Sequence, residues 1–170
     1  NLRRELQYGH LSNSMRFYRN KGIELWVDAV MNEDSSKALE IAKELEKKDV
    51  IIPITRCLNQ AKKWIRIRRR GEERAGMIAS SHGRRLIAEG IHIPKPEDSK
   101  IAHWMLSPTG DVRSSNMLEI AQNQFQIQGL EVDYSLMCWD ADLRINSEQE
   151  WECRRIHGAG WQQQNEESLR

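Results

Sequence analysis

The run Gln128-Gly129-Leu130-Glu131-Val132-Asp133 joins a glycine, which lets backbone come close to a ligand, to a carboxylate able to accept from hydroxyl groups. On pattern alone the same run also reads as a simple turn with a solvated glutamate. Thr55-Arg56 and Ser80-Ser81 each follow a short apolar run, which would put both pairs at the carboxyl ends of strands, where open parallel sheets collect ligands. Their hydroxyl and guanidinium donors suit the oxygens of a phosphodiester backbone, and capping of the helices that follow is the competing use. Arg113-Ser114-Ser115-Asn116 offers the same donor chemistry, with bonding of the long preceding loop as its competitor. Asp140 and Asp142 are weak candidates for metal ligands, since acids at a strand end commonly face water or cap a turn. Cys153 and His157 lack the further ligands of a closed zinc site, so no metal is assigned to the chain itself.

The elements that would position these groups follow from hydrophobic spacing. Ile23, Trp26, Ala29 and Val30 recur at helical intervals, and the polar run Asn32 to Ser36 ends that helix and caps a second one carrying Leu39, Ala42 and Leu45. Val50-Ile51-Ile52-Pro53-Ile54 predicts a buried strand, with Pro53 pointing to an edge or bulge. Leu58, Ala61, Trp64 and Ile65 give the next helix an inner face. Ala75 to Ala79 predicts a second strand, Leu86 and Ile87 a short helix, and Val132 to Trp139 a third strand after a loop containing Pro94 and Pro96 and a turn at Ser107 to Asp111. This alternation predicts an α/β fold, a mostly parallel sheet with helices on both faces. The polar stretch 146–170, with isolated Trp151 and Trp161, offers no assignable element.

With 26 basic and 25 acidic residues the formal net charge is +1, so no global field draws the 170-residue chain to nucleic acid. Lys62, Lys63, Arg66, Arg68, Arg69, Arg70 and Arg74 do cluster, which fits a solvated helix face before it fits a binding surface. Trp64 and Trp104 could stack on bases, although packing is their more ordinary use. Cys57, Cys138 and Cys153 stand far apart, against both a disulfide framework and a thiolate zinc site. No apolar run approaches the roughly 20 residues of a membrane span. A soluble cytoplasmic or nuclear protein is expected, one that reads as a piece of a longer chain because it opens on Asn1 and stops at Arg170 in polar sequence.

Leu11-Ser12-Asn13-Ser14-Met15-Arg16, Ile54-Thr55-Arg56, Ala79-Ser80-Ser81, Asp111 to Glu119 and Phe125 to Asp133 occur in one order over most of the chain. That ordered set resembles the second RecA-like domain of a superfamily 1 helicase-like family related to the helicase-like region of Schlafen proteins. The resemblance covers about Leu11 to Arg144, and Arg113-Ser114-Ser115-Asn116 and Gln128-Gly129-Leu130-Glu131 are its most specific elements.

The resemblance implies a RecA-like domain over residues 1–145, with 146–170 leading toward an arginine-containing motif VI beyond Arg170. Leu11 to Arg16 looks like motif IV and makes Arg16 the candidate arginine finger; without the resemblance it would read as a surface ion-pair partner. Gln128, Gly129 and Glu131 resemble motif V, with Glu131 on the ribose of ATP. Asn123 stands where a threonine is common, and Phe125 where some relatives have histidine. The resemblance further implies a first RecA-like domain in cis, ATP with Mg2+ held between the two halves, and single-stranded DNA or RNA along Thr55, Arg56, Ser80, Ser81, Arg113, Ser114 and Asn123. No G-x-x-x-x-G-K-[ST] loop is present in the sequence, so hydrolysis by this chain alone is not expected. The alternative is a non-catalytic RecA-like module that binds nucleic acid or regulates, and an independent hydrolase or nuclease ranks below both.

Overall fold

The computed structural model describes residues 21–163 apart from residue 159, and Arg16 lies outside the described residues. The chain divides at Ile54 into two compact units.

The described part of the first unit is a pair of helices, α1 (Lys21–Met31) and α2 (Ser35–Glu46). Asp34 caps α2 by accepting from the Lys37 backbone N–H at 2.9 Å, as the polar run before it leads one to expect. Ala29, Ala38 and Leu45 form the buried side. The strand expected at residues 50–54 is absent: the segment is unpaired, and Ile54 is 85 % exposed. Its apolar, β-branched composition is not sufficient, because Pro53 has no N–H to give a ladder and no neighbouring strand among the described residues pairs with the run.

In the second unit, helix α3 (Leu58–Arg68) leads to strand β1 (Ala75–Ala79), and a 3-10 turn over Arg84–Glu89 stands where a short helix is expected. Helix α4 (Ile101–Leu106) and strands β2 (Ala121–Asn123) and β3 (Tyr134–Cys138) follow. The three strands form a parallel sheet in the order β2-β1-β3. The central strand is buried along its whole length, and accordingly its sequence Ala-Gly-Met-Ile-Ala is apolar without alternation. Ala75, Met77, Ala79, Ala121 and Cys138 share a core with Ile65 of α3. Gly76 lies under Trp104 of α4, so close that a Cβ there would stand 2.6 Å from the indole. The fold is therefore α/β, with helical elements packed on the sheet.

Strands β4 (Leu143–Ile145), β5 (Trp151–His157) and β6 (Gly160–Gln163) form a separate antiparallel sheet. The polar stretch after residue 145 thus carries two strands, and the division anticipated between 145 and 146 falls inside the β4–β5 hairpin. No helix among the described residues is long and apolar enough to cross a membrane.

Candidate functional site

The register places Ala79, Asn123 and Cys138 side by side, so all three parallel strands end together. The turns that leave them form one edge, the position at which parallel sheets present ligand-binding groups. Ser80 and Ser81 leave β1 there. The Ser81 backbone N–H donates to the Gln124 side-chain oxygen at 2.9 Å, and the Gln124 amide donates back to the Ser81 hydroxyl at 3.1 Å. The Ser80 hydroxyl accepts from the His82 backbone N–H at 3.2 Å. Both serines organise their own turn while remaining partly exposed.

Asn123 closes β2 and is buried. Its side-chain oxygen accepts from the backbone N–H groups of Phe125 and Gln126 at 3.0 and 3.1 Å, a local turn of the kind asparagine favours. At the end of β3, Asp140 is also buried; it accepts from the Arg85 and Ala141 backbone N–H groups at 3.3 and 2.7 Å, and the Arg85 guanidinium lies 3.7 Å away. Asp140 thus ties the turn after β1 to the end of β3. No group of three potential metal ligands occurs among the described residues.

The other sequence-selected residues stand elsewhere. Thr55 and Arg56 lead into α3 rather than follow a strand, and the Thr55 hydroxyl accepts from the Cys57 backbone N–H at 3.1 Å while Arg56 is exposed. Gln128, Gly129 and Glu131 are exposed on the connection from β2 to β3, and Gly129 has φ +83°, a conformation glycine adopts without cost. That connection ends at Asp133, whose N–H donates to the Arg74 carbonyl at the amino end of β1. Arg113 and Ser114 belong to the amino end too, since the nearby Asn116 side chain accepts from the Ala75 N–H at 2.8 Å. Ser114 is 1 % exposed with its hydroxyl on the Ser107 carbonyl, and Arg113 is clamped by Asp111, whose carboxyl it holds well below the usual range. Five residue steps, about 17 Å at roughly 3.3 Å each, separate Ala75 from Ser80.

The basic helix is largely a structural device. The Lys62 side chain is 9 % exposed and meets Glu119 at 3.3 Å, Arg66 reaches the same carboxylate and the Met117 carbonyl, and Arg68 stacks over Trp64. Burial pushes the Cys138 thiol up to about 11. Trp104 is core, its indole N–H donating to the Ile120 carbonyl at 3.0 Å.

Three features escape a reading of the sequence. Gln124 carries no pattern of its own, and its role appears only once β1 and β2 are adjacent. The Arg85 and Arg144 guanidiniums lie 5.6 and 5.5 Å from the Trp161 ring, which brings the hairpin to the turn after β1. Glu152 takes hydrogen bonds from Arg144 and Arg154 at 2.7 and 3.0 Å, and these hold its carboxyl below the usual range, Arg144 having the larger effect.

The model of the family described as Schlafen group 3, DNA/RNA helicase domain matches residues 1–170, the whole sequence. The chain belongs to that family. No curated protein and no solved structure matches it. For this Schlafen-group helicase-like domain, the family relationship agrees with the resemblance carried by the Arg113 to Asn116 and Gln128 to Glu131 segments.

Proposed function

We propose that the chain is the second RecA-like half of a superfamily 1 helicase or translocase ATPase, with a first RecA-like half in cis and a single strand of DNA or RNA along the carboxyl edge of its parallel sheet. The observation that carries this reading is the alignment of Ala79, Asn123 and Cys138, which gathers the turns of three parallel strands on one edge. Partly exposed Ser80 and Ser81 there offer hydroxyl donors of the kind that contact phosphate oxygens. Asn123 supports the edge from beneath by fixing the turn that carries Gln124.

ATP and Mg2+ would lie between the two halves, the metal neutralising charge on the phosphates. On this chain the exposed Glu131 carboxylate suits the ribose hydroxyls, and Gly129 leaves the neighbouring backbone open to close approach. Arg16 is the proposed arginine finger, a guanidinium that would stabilise charge on the transferred phosphoryl oxygens.

Fluorescence anisotropy of labelled oligo-dT and oligo-U tests the edge. Ser80→Ala and Ser81→Ala are each expected to weaken binding about threefold to tenfold. Binding that neither substitution changes would refute this placement of the strand.

A further inference from the structure

A cavity of about 130 Å³ opens beside β2 on the face of the parallel sheet that Trp104 covers. Its floor is Trp104 and Gln122, the latter only 2 % exposed. Gln122 is in register with Ile78, so its side chain lies on the Trp104 face of the sheet. The Gln122 side-chain oxygen accepts from the Ser99 hydroxyl at 2.9 Å, and its amide nitrogen donates to no group among the described residues. That nitrogen is not one of the fully buried side-chain atoms without a partner, so it keeps contact with solvent and is free to donate to a ligand in the cavity.

The rim supplies further donors. Lys100, His92 and Arg113 line the opening, opposed by the single carboxylate of Asp98. Arg113 is neutralised by its bidentate pairing with Asp111, at 2.6 and 2.9 Å, which fixes the guanidinium. Lys100 pairs with no carboxylate among the described residues. Donors therefore outnumber acceptors around a small, partly enclosed space, and the complement of such a wall is an oxyanion.

We infer that this cavity binds a phosphate ester, received by Lys100 and the Gln122 amide, with Asp98 placed to accept from a hydroxyl on the same ligand. The inference does not depend on the strand placement at the carboxyl edge. The phosphate can belong to a free nucleotide or to the end of a strand, and the test separates them.

The 15N-labelled 170-residue chain is titrated with inorganic phosphate, with AMP and with a 5′-phosphorylated dT hexamer, following the Gln122 side-chain amide and Trp104 indole cross-peaks. The Gln122 peaks are assigned by their loss in Gln122→Met. Saturable shifts with AMP or the hexamer, weakened about tenfold by the exposed substitution Lys100→Gln, are expected. AMP acting alone identifies a free nucleotide, and the hexamer acting alone a strand end. Silence with all three probes, or the same affinity in Lys100→Gln, would overturn the inference. Inorganic phosphate and AMP carry no strand to lie along the carboxyl edge, so shifts with these probes keep failure of the strand placement and failure of this site apart.

Discussion

Replacing Gly76 by alanine puts a methyl group where Trp104 already lies, 2.6 Å from both Cη2 and Cζ2 of the indole. Such a contact is relieved only by moving one partner. Gly76 belongs to the central strand, hydrogen-bonded on both sides, and Trp104 is buried with its N–H on the Ile120 carbonyl. Overpacking of this type costs about 1–3 kcal/mol. For a unit of this size that lowers Tm by roughly 3–15 °C. Thermal unfolding followed by circular dichroism reads the shift directly, and the Trp104 indole N–H resonance should move as the ring is displaced toward the Gln122 cavity. Gly129→Ala is the control: nothing lies within 4 Å of its added Cβ, so only the left-handed backbone strain of about 1–2 kcal/mol remains, partly offset by lost freedom of the unfolded chain. A Gly76→Ala variant that melts within about 1 °C of wild type would refute the packing argument.

Two predictions concern titration. The Cys138 thiol is raised by burial from 9.0 to about 11, so the folded state holds this proton more tightly than the unfolded chain does. Its stabilising contribution is complete below the ordinary value and is lost as pH climbs through about 11, up to about 3 kcal/mol, so urea midpoints should fall over this range in wild type and less in Cys138→Ala. The Glu152 carboxyl is lowered by Arg144 first and then Arg154, so its contribution is present above 4.5 and disappears as pH falls below that. Near-ultraviolet dichroism from the Trp139–Trp151 pair, with ring centroids 6.1 Å apart, should report this acid transition, and Glu152→Gln should flatten it.

The parts of the fold legible in the sequence are those where one physical signal dominates. Ala75 to Ala79 reads as a buried strand because all five of its residues are interior, and α2 is announced by Asp34 and its apolar spacing. Residues 50–54 mislead because apolar composition says nothing about whether a partner strand is available. Strand β2 is invisible for the opposite reason: Gln122 and Asn123 are polar yet buried, their side-chain oxygens accepting from Ser99 and from a turn that only tertiary structure supplies. β5 and β6 hide in polar sequence, where Arg154 of β5 and Arg144 of β4 pair with Glu152 and Arg144 also lies over Trp161 of β6. At the candidate site, Ser80 and Ser81 follow a strand as expected, because β1 and the helical turn beyond it are local features. That Arg113 and Ser114 belong to the other end of the sheet depends on Asn116 meeting Ala75 across 41 residues, which no local pattern encodes.

The most direct test is ATP hydrolysis by the longer protein that we propose carries this chain, measured with and without single-stranded DNA and RNA, in wild type and in Arg16→Ala. Hydrolysis stimulated by a strand in wild type, and reduced about a thousandfold or more by Arg16→Ala while nucleotide binding persists, is the predicted result. A well-folded protein that binds strands but hydrolyses no ATP would contradict the motor reading and leave a nucleic-acid-binding module.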